Sequence, residues 1–138
     1  MPIEAPPRGS VIVYPYLWLR QAQAGETEGR KDRPCCLSLA IEDSRTGEHH
    51  LMLLAISSQP PSGDQKAIEI PATERRRAGL TRYPAAWIVT SEFNYDIAER
   101  SFYFDPSLPA LGRFSAEFLK LVAQAVQTNR ARRISRQD

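Results

Sequence analysis

The apolar positions of this chain come in short runs, and most of those runs alternate or are rich in β-branched residues. Val11-Ile12-Val13-Tyr14 follows Gly9-Ser10 and is stopped by Pro15, which predicts a first strand. Tyr16 to Leu19 stays apolar and reads as an irregular extension across the core. Gln21 to Asp32 is polar, holds two glycines and reads as a long mobile loop, a length that in a compact domain signals function or disorder. Pro34 is tolerated at the start of a strand, and Cys35 to Ile41 is apolar enough to be central. Glu42 to Gly47 is a hairpin-type turn, after which His50 to Ile56 forms the antiparallel partner. Lys66 to Ile70 alternates and ends at Pro71, as an edge strand would. Thr73 is placed to cap a short helix over Glu74 to Ala78 that Gly79 ends. Ala86 to Thr90 is a fifth strand, Glu92 to Asp96 leaves it, and Phe102-Tyr103-Phe104 is a candidate sixth.

The period changes only near the end. Phe114, Phe118, Leu121, Val122 and Ala125 recur at helical spacing. Ser115 is the expected N-cap, with Phe114 and Leu119 as a hydrophobic staple, for a helix over Ala116 to Gln127. The reading is a mainly β (α+β) fold, a small antiparallel barrel or strongly bent sheet with a C-terminal helix. It predicts one domain over residues 9–128, a flexible lead-in over 1–8 and a frayed basic tail over 129–138. No internal repeat is present.

Composition narrows this only a little. The 138 residues suit one core, and 42% apolar with 25% charged residues is ordinary for a globular chain. A formal net charge of +2 excludes a polycation. The basic residues are nevertheless grouped: Arg30, Lys31 and Arg33; Arg75, Arg76, Arg77 and Arg82; Arg130, Arg132, Arg133 and Arg136. Such groups attract phosphate or are simply solvated surface. Cys35 and Cys36 are adjacent and face opposite ways in a strand, so no disulfide framework is expected. With His49-His50 they make no metal-ligand spacing, so neither a metal nor another cofactor is expected. No run suggests a signal peptide or a membrane span, and a cytoplasmic protein without membrane contact is expected.

The candidate chemistry lies where the charged loop enters the second strand. Arg33 can grip a phosphate through two parallel hydrogen bonds. Glu28 can accept a proton beside it, although an Arg–Glu ion pair pinning the loop is the alternative. Ser57 ends the third strand, where an antiparallel hairpin brings it beside Arg33, either to meet a phosphoryl oxygen or to bond its own turn. Glu92 and Asn94, just past the fifth strand, suit base recognition or a strand-exit turn. Trp18, beside the mobile loop, is a candidate for base stacking, whereas Trp87 belongs in the core. His49 and His50 show no partner and are expected at the surface.

Taken together, Gly9-x-Val11, Glu28-x₄-Arg33-Pro34 entering an apolar strand, and Ile56-Ser57-Ser58-Gln59 closing the next resemble the MazF/PemK toxins of type II toxin–antitoxin systems. Tyr16-Leu17-Trp18, the stretch Gly25 to Cys35, Glu69-Ile70-Pro71, Gly79-Leu80 and the stretch Trp87 to Asn94 look like a proteobacterial PemK-like branch. The resemblance spans about residues 9 to 127. It implies an SH3-like barrel of the PemK/CcdB type, a homodimer, and a partner antitoxin. It implies a metal-independent endoribonuclease on single-stranded RNA, in which the substrate's 2′-OH attacks the adjacent phosphorus. Carried over by position, Arg33 steadies the phosphoryl charge, Glu28 is the base, and Ser57 stands where threonine is usual. Arg30, Lys31, Trp18, Ser58, Gln59, Glu92 and Asn94 become the RNA-binding set. The competing class is a non-catalytic binding module of the same fold for nucleic acid or protein, including a gyrase poison or a degenerate toxin.

Overall fold

The computed structural model describes residues 5–27 and 31–137. In chain order the elements are β1 (Ser10–Tyr14), α1 (Leu19–Gln23), β2 (Arg33–Glu42), β3 (His49–Ser57), β4 (Ala67–Glu69), α2 (Ala72–Arg77), β5 (Trp87–Val89), β6 (Glu92–Ile97), β7 (Gly112–Arg113), α3 (Ala116–Thr128) and β8 (Arg132–Ser135). A 3-10 turn at Ala98–Arg100 follows β6. The fold is mainly antiparallel β with few helices. No helix among the described residues is long and apolar enough to cross a membrane.

The β2–β3 hairpin is the spine. Its register runs from Cys35 opposite Ala55 to Glu42 opposite His49, with an irregularity between Leu37 and Leu39. On its other edge β3 takes β6 along His50 to Leu53 and β5 at Ile56 and Ser57. One strand thus feeds two neighbours, which divides the sheet between the two ends of β3. The main path is β4-β5-β3-β2-β1-β7, and β8 lies parallel on the outer edge of β6.

Both faces of β2 are covered over Cys35 to Ser38, whereas Leu39 and Ile41 further along the apolar run are exposed. Cys36, with Val11, Leu54, Ile56 and Ile88, packs under Phe114, Phe118 and Val122 of α3. Cys35, its neighbour, faces the other way among Tyr14, Tyr16, Leu37, Leu53 and Ala55. Both thiols are buried and unbridged. Ser115 caps α3 as predicted, its hydroxyl accepting from the Phe118 N–H.

Several local expectations give way to tertiary contacts. The polar stretch after Trp18 begins with a helical turn, α1, in which Gln21 is buried and accepts from the Trp18 N–H. Thr73 does not cap α2: that helix begins two residues earlier than expected, at Ala72 after Pro71, without a side-chain cap bond. Gly79 ends it as expected, with φ of 74° and the Leu111 carbonyl packed where a Cβ would stand. Glu92 to Asp96, expected only to lead away from the fifth strand, forms most of a strand of its own, β6. Phe102-Tyr103-Phe104 forms no strand; Phe102 is 96% exposed while Phe104 is buried. Leu121, expected on the core face of α3, is 56% exposed, and Leu119 takes its place inside.

The largest departure is the basic tail. It is not frayed. Residues Arg132–Ser135 pair with β6, and Arg136 is 3% exposed. Its guanidinium donates to the Pro15 carbonyl at 2.6 Å and to Asn94 Oδ1 at 3.1 Å, and lies over the Tyr103 ring. Polar composition predicted solvent, but an arginine whose donors meet carbonyls and whose plane meets a ring is stable inside.

Candidate functional site

Arg33 opens β2, opposite Tyr14 of β1. Continuing the β2–β3 register two residues back from the Cys35–Ala55 pair sets Arg33 across from Ser57. The hairpin does what its antiparallel geometry demands, bringing residues 24 positions apart to one end of the sheet. A cleft of about 200 Å³ opens there, with Lys31, Arg33, Ser57, Ser58, Arg82 and Tyr83 in its walls.

The Arg33 side chain is partly buried. Its guanidinium sits 4.8 Å from the centroid of the Trp18 indole, a cation–π distance. Among the described residues its buried Nε has no acceptor. Burial lowers its pKa, with the nearby Arg20 adding to the effect. A partly desolvated cation with an unused donor favours an anionic ligand, because an unmet buried N–H costs about 1–3 kcal/mol. Such a charge also acts more strongly on a phosphate than one fully in water.

The hydroxyl opposite is engaged locally. Ser57 Oγ accepts from the Gln59 N–H at 3.0 Å, the turn role weighed from sequence. Its own proton stays available to a ligand. Ser58 and Gln59 are exposed beside it. Lys31 is exposed and lines both this cleft and a neighbouring one of about 310 Å³ over Tyr16, Trp18 and Arg20. Glu28 and Arg30 lie outside the described residues.

Three expected RNA contacts have other duties. Trp18 is 7% exposed, edge-on to Tyr16 with centroids 5.0 Å apart, and its ring lies under the Arg33 guanidinium in the wall of the neighbouring cleft. Asn94 is completely buried. Its Oδ1 accepts from the Leu17 N–H at 2.9 Å and its Nδ2 donates to the Leu17 carbonyl at 2.8 Å. An amide paired this way stands in for a strand partner and holds the segment that carries Trp18 beneath Arg33. Glu92 is buried too, accepting from the Leu19 N–H at 2.8 Å and the Tyr16 hydroxyl at 3.2 Å. Burial raises its carboxyl pKa despite those two bonds.

The histidines also depart from expectation. His49 has a partner: its Nδ1 is 2.6 Å from a Glu99 carboxylate oxygen, and its N–H donates to the other. His50 Nδ1 lies 2.6 Å from the Tyr95 hydroxyl. Both are half-buried.

Sequence reasoning missed Asp32, Arg82 and Tyr83, which line the Arg33 cleft. Arg82 donates to the Tyr83 hydroxyl at 3.0 Å. Arg82 was visible as a member of a basic group, yet nothing local tied it to Arg33, which lies 49 positions earlier. Among the described residues, no three His, Cys, Asp or Glu side chains gather as a metal site would require. The chain matches no protein-family model, no curated protein and no solved structure.

Proposed function

We propose that this protein is an endoribonuclease acting on single-stranded RNA without a metal, on an SH3-like barrel of the MazF/PemK kind. In this reading it works as a homodimer and is restrained by a cognate antitoxin. The observation that carries the reading is Arg33, a half-buried guanidinium whose Nε has no acceptor among the described residues, lining one small cleft together with Ser57. In the reaction a base takes the proton of the RNA 2′-OH. The 2′ oxygen bonds to the neighbouring phosphorus, and the bond from phosphorus to the 5′ oxygen breaks. The products are a 2′,3′-cyclic phosphate and a 5′-hydroxyl, which gains a proton. Arg33 steadies the charge on the phosphoryl oxygens, the contribution that is usually largest in such a step. Ser57 Oγ–H donates to one of them. Glu28 is the base that the resemblance supplies, and Asp32 is a second carboxylate at the cleft.

The test is cleavage of a mixed single-stranded RNA pool in the presence of chelator, with mapping of the ends. Arg33→Ala is expected to abolish cleavage while melting cooperatively. Undiminished cleavage by that variant would overturn the assignment. The engagement of Ser57 Oγ by the Gln59 N–H favours a second reading, a binding module that does not cut. That reading predicts salt-sensitive RNA binding with the RNA intact after prolonged incubation.

A further inference from the structure

A hollow larger than the one at Arg33 lies elsewhere in the structure. A cleft of about 670 Å³ lies where the chain turns from β5 into β6, against the C-terminal end of α3. Four cations line it, Arg20, Lys66, Arg130 and Arg132, against two acids, Asp64 and Glu92. Glu92 is buried at that wall, and its charged form is disfavoured by the same burial. The balance at the surface is therefore positive.

Hydrogen bonds at the β5–β6 turn hold the backbone that carries Lys66, Arg130 and Arg132. Asn129, the C-cap of α3, donates from Nδ2 to Thr90 Oγ1 at 2.8 Å. The Arg132 N–H donates to the Ser91 carbonyl at 3.0 Å. Lys66 is tied to the same turn, its N–H donating to Ser91 Oγ and its carbonyl accepting from the Thr90 N–H. Arg130 takes a left-handed conformation, φ 47°, between these anchors. That is the ordinary position after the C-cap in a Schellman turn: the Arg130 N–H donates to the Gln127 carbonyl and the Ala131 N–H to the Val126 carbonyl, both at 3.1 Å.

The hollow also connects to the site. Arg20 lines both it and the cleft over Trp18, and that cleft shares Lys31 and Arg33 with the hollow at Ser57. A basic path thus runs from Arg82 past Arg33, Lys31 and Arg20 to Lys66, Arg130 and Arg132.

From this continuity we infer that the Lys66–Arg130–Arg132 cleft is a second RNA subsite, holding the backbone phosphates of the strand that extends away from Arg33. The inference rests on the nuclease reading for the position of the strand, but not for its occupancy of the cleft. A volume of this size accommodates nucleotide-sized ligands, and cations, hydroxyls and amides without an exposed aromatic face suit a sugar–phosphate chain more than a base.

The probe is 2′-O-methyl RNA, whose capped oxygen cannot attack, in lengths of about four and about twelve nucleotides, a span that covers typical single-strand site sizes. Affinity is read by fluorescence anisotropy over a salt series. The full-length protein is expected to prefer the longer strand by roughly tenfold or more. Lys66→Gln with Arg130→Asn and Arg132→Gln, where asparagine tolerates the left-handed backbone, should cut that preference several-fold. It should also flatten the salt slope by roughly 0.7 per cation removed. Arg45→Gln, on the exposed hairpin turn, serves as the control and should change neither. Lys66→Gln alone repeats the test, with a smaller effect, in a fold that keeps every C-terminal arginine. A triple variant and a Lys66 variant that both retain the native preference and slope would refute the subsite. If instead Arg33→Ala leaves cleavage intact while the Lys66 and C-terminal changes flatten the slope, the nuclease assignment falls and the cleft stands.

Discussion

Arg33 and Arg136 each lie over an aromatic ring, and each keeps a buried Nε without an acceptor among the described residues. Their remaining donors differ. Arg136 donates to Pro15, to Asn94 and, at 3.5 Å, to the Thr27 carbonyl, so it ties the C-terminal strand to the segment entering the charged loop. Arg33 makes no such bonds to described side chains or carbonyls, and a cleft opens over it. The same residue over an aromatic ring is a structural bolt where its donors meet fixed carbonyls, and keeps its donors without a described partner where it lines a hollow. Burial alone does not separate the two.

That contrast is open to direct attack. The largest effect is expected from Arg33→Lys, which keeps the charge and loses the planar fork: RNA cleavage should fall by about 10²–10³-fold with little change in melting. If lysine restored full cleavage, a point charge would suffice and the fork would be irrelevant. Arg136→Met should act in the opposite way. It leaves the Pro15 carbonyl without the Arg136 donor and strips Asn94 Oδ1 of one of its two bonds, and denaturant unfolding should show a loss of about 3 kcal/mol. Cleavage by the folded fraction should stay closer to native than in the lysine variant.

Glu92→Gln tests whether the buried carboxylate is structural. Its raised pKa means that the folded state holds the proton more tightly than the unfolded chain does. Stability is therefore expected to decline as pH rises from about 4.5, the ordinary value, through the folded pKa. Glutamine keeps an oxygen for both Leu19 and Tyr16 and carries no charge. Its stability should match the native protein at the acid end and exceed it at pH 7. Curves that stay parallel across that range would show that Glu92 bears no such burden. The smallest effect is expected at the thiols. Burial pushes Cys36 up to about 12 and Cys35 higher still. Alkylation at pH 8 should therefore be negligible until the protein unfolds, and should quicken in Arg136→Met only as far as that variant opens.

The strands that were legible are those whose side chains alternate or run apolar between clear stops. Val11 to Tyr14, Cys35 to Ile41 and His50 to Ile56 all lie within observed strands, and Ser115 begins its helix where its capping chemistry requires. The hairpin turn alone made the approach of Ser57 to Arg33 inferable. Glu92 to Ile97 was illegible because its inward residues, Glu92, Asn94 and Asp96, are polar. They are buried because Tyr14, Tyr16, Leu17 and Leu19 bring donors to them. No local pattern announces that match. Arg82 and Tyr83 went unplaced because nothing local ties them to Arg33, which lies 49 positions before Arg82.

The sequence by itself determined the hairpin, the capped helix and the meeting of Arg33 with Ser57, because strand period, turn residues and caps act within a few positions of one another. Only the tertiary structure decided that Trp18 lies under Arg33, that Asn94 and Glu92 face inward, and that Arg132–Ser135 form a strand with Arg136 buried beyond it. Those outcomes depend on donors and acceptors brought together from segments as much as 121 residues apart. A polar side chain is buried or exposed according to whether such a partner arrives, and the chain does not record that locally.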